Sequence, residues 1–179
     1  VGRLKHFVSR NAFDIEGLGA KHIEAFTEDG IIETPADIFR LEDRAGEIAG
    51  RDGWGEQSVN NLFAALRERS TIPLERFIYA LGIRQVGQAT ARLLAKQYGS
   101  LDGWWKQIKK AQDRDSEAYR DLVNIDGIGP SVADDLLGFC AEAHNRDVLD
   151  QLEDLLTVED FQAPDSVSST VAGKTVVFT

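Results

Sequence analysis

The stretch "IDGIGPSVADDL", residues 125–136, decides the reading of this chain because three relatives of it lie elsewhere in the same sequence. They are "IEGLGAKHIEAF" at 15–26, "RDGWGEQSVNNL" at 51–62 and "IRQVGQATARLL" at 83–94. Aligned on Gly19, Gly55, Gly87 and Gly129, the four copies share an apolar residue one place earlier: Leu18, Trp54, Val86 and Ile128. Four places later stand Ile23, Val59, Ala91 and Ala133, and seven places later Phe26, Leu62, Leu94 and Leu136. Steps of four and seven residues are helical periodicity that starts right after the glycine. A further glycine precedes in three copies, at Gly17, Gly53 and Gly127, and Gln85 replaces it in the other.

The residues ahead of the turns also carry apolar side chains at helical steps: "PADIFRLED" (35–43), "LERFIYALG" (74–82) and "EAYRDLVNI" (117–125). Thr34 is placed to cap a helix that opens on Pro35. The unit is therefore a helix, a tight glycine turn and a second helix, repeated. No convincing alternating strand occurs before residue 170, and the expected class is all-α. "HNRDVLDQLEDLL" (144–156) reads as an acidic amphipathic helix capping the second pair of turns, 157–170 as a linker, and "KTVVFT" (174–179) as a strand.

Two physical readings of the turn stay open. Glycine supplies positive φ at a helix corner and lets helices pack closely. A Gly-x-Gly turn entering a helix also leaves backbone amides exposed at the positive end of the helix dipole, where a phosphate is held. Fourfold repetition favours the second reading, since a nucleic-acid duplex presents phosphates repeatedly.

Composition sets outer bounds. The chain has 179 residues, 42% of them hydrophobic and 28% charged, which suits a folded protein. A formal net charge of −10 runs against the basic footprint usual for nucleic-acid binding. The acidity is uneven: residues 1–100 hold 13 Lys and Arg against 14 Asp and Glu, and residues 101–179 hold 7 against 16. Cys140 is the one cysteine, so neither a disulfide framework nor a multi-cysteine metal site arises in this stretch. No apolar run suggests a membrane span or secretory leader, and a reduced cytoplasm is the expected compartment. "WW" at 104–105 reads as helix packing, Cys140 as a buried small hydrophobe, and His6, His22 and His144 as too scattered for a metal site.

The repeated unit is that of the helix–hairpin–helix motif. With "LKHFVSRNAFDIEGLGAKHIEAF" (4–26), "PLERFIYALGIRQVGQATARLLAKQYGSL" (73–101) and "AGKTVVFT" (172–179), the chain resembles the C-terminal part of bacterial NAD-dependent DNA ligases. The resemblance implies four tandem hairpins paired into two pseudo-symmetric units over residues 12–156. Residues 1–11 would follow a zinc finger, 157–170 would be a linker, and 171–179 would be the first strand of a truncated BRCT domain. It implies a segment that grips the backbone and minor groove of nicked duplex DNA without sequence preference, beside the other domains of the same ligase. The adenylation active site would lie outside the segment, so catalytic residues, metal ligands and cofactors are not expected in it. NAD, Mg2+ and Zn2+ are implied for the parent enzyme, and a monomer is expected.

The residues matched to the hairpins are Gly17, Gly19, Gly53, Gly55, Gly87, Gly127 and Gly129. Side-chain candidates at the helix starts are Lys21, Gln57, Ser58, Gln88, Thr90 and Ser131, with Arg51 and Arg84 flanking their turns. Gln85 carries a Cβ and is expected to need a different backbone angle or a looser approach, with a side chain able to reach a phosphate. Asp126, Asp134 and Asp135 crowd the fourth hairpin, which is expected to contribute least or to contact DNA only through backbone amides. A single-hairpin base-excision glycosylase, another repair protein's hairpin module and a protein–protein module are the competing readings.

Overall fold

Each of the four glycine stretches forms a tight turn closed by one backbone hydrogen bond. Leu18 N–H donates to Ile15 O (3.3 Å), Trp54 to Arg51 (3.1 Å), Val86 to Ile83 (3.0 Å) and Ile128 to Ile125 (2.9 Å). In each the third residue has positive φ: Gly17 at +87°, Gly53 at +84°, Gln85 at +67° and Gly127 at +91°. That is the type II pattern, which demands a left-handed residue at this place. The structure, a computed structural model, describes residues 2–162. The strand expected at 171–179 and the linker beyond residue 162 lie outside the described residues.

A helix follows every turn: α2 (Ala20–Glu28), α5 (Glu56–Arg69), α7 (Gln88–Tyr98) and α10 (Pro130–Ala141). The repeat's apolar positions all face inward. Leu18, Val86 and Ile128 are buried, as are the residues at +4 and +7 in every copy, and Trp54 is half-buried. The middle residue thus pins each turn to the core while the flanking backbone stays outside.

Leading helices precede three turns: α4 (Ala45–Ala49), α6 (Leu74–Ala80) and α9 (Glu117–Val123). Ahead of the first turn, α1 (Gly2–Phe7) stops early and residues 8–14 form a knot of turns. Ser9 Oγ donates to His6 O (2.6 Å) and Asp14 sits at φ +53°, so the chain leaves the helix there. "PADIFRLED" divides into α3 (Pro35–Ile38) and a 3-10 turn at Leu41–Arg44. α8 (Leu101–Ala111) buries Trp104 and Trp105, and α11 (Ala143–Leu155) buries Val148, Leu149 and Leu152. α11 packs on α10 as expected and also on α3, where Arg40 Nη1 donates to Gln151 Oε1 (2.8 Å). One continuous core runs through all of these helices. Among the described residues no helix is long and apolar enough to cross a membrane.

Two short strands depart from the all-helical expectation. β1 (Thr71–Pro73) pairs in parallel with β2 (Thr157–Glu159), Ile72 opposite Val158. Thr157 N–H donates to Ser70 O (2.7 Å) and Phe161 N–H to Gly99 O (2.8 Å). Residues 157–161 are therefore tied into the fold where the sequence reads as linker. Three-residue strands are too short to show alternation, and their pairing joins distant parts of the chain.

Cys140 is 2% exposed, and burial pushes its thiol up to about 12. The thiolate is the nucleophile, so disulfide-reagent labelling at pH 8 should be at least roughly a hundredfold slower in the folded chain than in denaturant. A raised pKa means the folded state holds the proton more tightly. This contribution to stability is complete below about 8.5 and is lost as pH rises toward about 12.

Candidate nucleic-acid interface

Two positions of each turn, both glycine except for Gln85, do different work. The first takes a left-handed backbone. The second is the N-cap of the following helix and is extended: Gly19 (φ −81°, ψ −177°), Gly55 (−116°, 175°), Gly87 (−85°, −168°) and Gly129 (−101°, −176°). Any L-residue adopts that conformation. A Cβ built on any of these four would meet nothing within 4 Å among the described residues. Neither backbone strain nor internal packing accounts for glycine at all four places. What remains is the preference for glycine over apolar residues at an N-cap, and an approach from outside the chain.

What such an approach meets is a set of free amides. No side chain caps α2, α7 or α10. In α2 the first internal bond is from Ile23 N–H to Gly19 O (3.0 Å), and in α7 from Ala91 N–H to Gly87 O (2.9 Å). The amides of Gly19, Ala20 and Lys21, and those of Gly87, Gln88 and Ala89, are left for an external acceptor. Helix dipole and amides together suit an anion. Turn 2 is partly closed, because Gly55 N–H donates to Ser58 Oγ (2.9 Å). Turn 4 loses one donor to Pro130.

The side-chain candidates separate into two groups. Lys21, Gln57, Arg84 and Gln88 are exposed, with no hydrogen bond or ion pair among the described residues. Arg51 is committed internally: its Nη1 pairs with Asp29 Oδ2 at 2.6 Å and its guanidinium lies 5.3 Å from the Phe26 ring centre. It fastens turn 2 to the end of α2 rather than waiting for a phosphate. Ser131 and Gln85 are bonded to each other, with Gln85 Nε2 donating to Ser131 Oγ at 3.1 Å. Gln85 thus departs from expectation twice. Its backbone takes the same left-handed conformation as the glycines, and its side chain is spent on the neighbouring hairpin.

Charge grades the four turns. The second turn residue is Glu16, Asp52, Arg84 and Asp126 in order, so only turn 3 offers a cation there. Turn 1 adds Lys21 at the second residue of its helix, while turn 2 is followed by Glu56. At turn 4, Asp134 is held by Arg114 and Asp135 accepts from Gln85. The Asp134 carboxylate, with the Tyr119 hydroxyl, holds the Arg114 guanidinium above its usual range. The crowding at turn 4 read from sequence is therefore partly relieved by partners that sequence spacing does not reveal. Another signal found only in three dimensions is His22, whose ring lies 4.6 Å from Trp54 across the seam between turns 1 and 2.

Contacts between turns run in both directions along the chain. A Cβ on Gly17 would lie 4.0 Å from Leu62 Cα of α5, and one on Gly127 would lie 2.9 Å from Leu93 Cδ1 of α7. Turn 1 therefore rests on the helix of turn 2, and turn 4 on the helix of turn 3.

The model of the helix-hairpin-helix motif matches residues 76–149, which take in turns 3 and 4 with their helices. Curated proteins named DNA ligase align along the chain: 58% identity for that of Rhodospirillum rubrum, 52% for Pelobacter propionicus and 52% for Parvibaculum lavamentivorans. These alignments take in 100%, 99% and 100% of this chain and 27%, 27% and 26% of those proteins. The chain thus spans about a quarter of the length of the curated relatives it matches. End to end, it is homologous to one segment of bacterial DNA ligases.

Proposed function

We propose that this chain is the duplex-gripping segment of an NAD-dependent DNA ligase that seals single-strand nicks in replication and repair. The observation that carries the reading is the open second glycine, repeated at Gly19, Gly55, Gly87 and Gly129 with nothing among the described residues within 4 Å of a Cβ built there. A phosphodiester approaching these amides needs the missing side chain, and a backbone contact carries no sequence preference. The ligases that share 50–58% identity with the chain supply the parent activity. Turns 1 and 2 form one unit and turns 3 and 4 the other, two pseudo-symmetric clamps along the minor groove. Turns 1 and 3 carry most of the binding, one per unit, because they combine free amides with Lys21 or Arg84 and no acid in the first helical turn.

Adenylation and phosphodiester formation belong to other segments of the parent, with NAD and Mg2+. Zn2+ is assigned to another segment of the parent as well, as the resemblance to the ligases implies. We place the protein in the bacterial cytoplasm, as a monomer.

Titration of the 179-residue chain with nicked and intact duplex at low salt tests the reading. Binding in the micromolar range is expected, with log K falling against log salt at a slope of about −2 to −4 for a few neutralised phosphates. A folded chain that leaves both duplexes free would make the turns packing corners only.

A further inference from the structure

Gln85 is unusual for its position. The three other copies have glycine there, and a glutamine at φ +67° is disfavoured by its Cβ. Such conformations persist where neighbouring contacts or function hold them. The contacts are present: Gln85 Nε2 donates to Ser131 O (3.4 Å), to Ser131 Oγ (3.1 Å) and to the Asp135 carboxylate. All are exposed, and exposed polar contacts contribute little net stability. Stability alone does not account for the residue.

The seam between turns 1 and 2 shows what the latch changes. The residues matching Gln85 there are Gly17 and Gly53, and both line a cleft of about 690 Å3 at that seam, with Trp54 and His22. Between turns 3 and 4 the glutamine bridges that gap. Its acceptors sit on the first two turns of α10, beside the free amides of Gly129 and Ser131. Asp134, next in the chain, is paired with Arg114, which also lies 5.3 Å from the Tyr119 ring centre. The two carboxylates on α10 are thus fixed by a donor from another element, whereas Asp126, in turn 4 itself, has no side-chain partner among the described residues.

We propose that Gln85 is a positioning residue for duplex binding: it latches turn 3 to α10 and, with Arg114, fixes the carboxylates that would otherwise face a phosphate at turn 4. The inference rests on the DNA-binding reading above. Gln85 leaves the charge of Asp135 in place but determines where it sits, whereas Arg114 offsets that of Asp134.

The test is duplex titration and thermal melting of the native chain, Gln85→Gly, Asp135→Asn and the double variant. Gln85→Gly should weaken binding roughly fivefold, while the melting temperature holds or rises by about 2 °C as the left-handed strain is relieved. Asp135→Asn alone should change binding by less than about twofold, and added to Gln85→Gly it should restore most of the lost affinity. Gln85→Gly binding as tightly as the native chain overturns the latch. A loss that Asp135→Asn does not restore makes Gln85 a direct contact and overturns the positioning role. A melting temperature lowered by more than roughly 5 °C makes it a fold residue, with the same result. Absence of binding by the native chain rejects the DNA reading itself, and the proposal with it.

Discussion

Gly127→Val is expected to destabilise the chain by about 2–5 kcal/mol, whereas Gly129→Ala, two residues away, should change stability by less than about 1 kcal/mol. At Gly127 two costs coincide. φ is +91°, where a Cβ costs about 1–2 kcal/mol and a β-branched residue is a genuine outlier. The new Cβ would also stand 2.9 Å from Leu93 Cδ1, the end of a half-buried side chain that can turn aside, so the overpacking falls at the low end of the usual range of about 1–3 kcal/mol. At Gly129 the backbone is extended and the Cβ meets nothing. Alanine there loses about 0.5–1 kcal/mol as a poorer N-cap and regains about 0.4–1 kcal/mol by restricting the unfolded chain. Gly53→Ala should fall between at about 1–2 kcal/mol, because its φ of +84° is strained but no atom lies near. Urea denaturation of the three variants reads all of this. Equal losses at Gly127 and Gly129 would mean that the two glycines do not have separate roles.

That separation is what the sequence could not display. Spacing alone locates the turns: an apolar residue before each second glycine, and others at +4 and +7, predict where four helices begin, and the structure starts them at Ala20, Glu56, Gln88 and Pro130. The pattern is strong because it is local and repeated, so each copy supports the others. Contacts between distant residues leave no such trace. Arg51 reads as a free cation beside a turn until the fold brings Asp29 and Phe26 to it. Asp134 and Asp135 read as uncompensated until Arg114 and Gln85 arrive from other elements. The pairing of Thr71–Pro73 with Thr157–Glu159 is equally non-local, and Pro73 at the end of β1 is also the N-cap of α6. Helix existence follows from periodicity, and side-chain commitment follows from tertiary position.

The second large effect is on binding rather than folding. Gly19→Val and Gly87→Val should each weaken binding to nicked duplex about tenfold at low salt, with stability changed by no more than about 1 kcal/mol. Each valine projects into space that the described residues leave empty, where an approaching phosphate needs to come within hydrogen-bonding distance of two or three amides. Hydrogen bonds to a charged group are worth about 1.5–3 kcal/mol, so losing part of one cradle accounts for a tenfold change. Gly55→Val should cost less, because Ser58 already holds the Gly55 amide and Glu56 repels the same phosphate. Arg84→Ala should lower the salt slope by about one, as expected for a single lost phosphate contact, while Arg51→Ala should act on stability through Asp29 and leave the slope unchanged. This ordering follows from which amides and cations are free, not from the glycine count, which is the same in turns 1, 2 and 4. Equal losses at Gly19, Gly55 and Gly87 would show that the turns act alike, and unchanged affinity in all three would remove external approach as the reason for glycine.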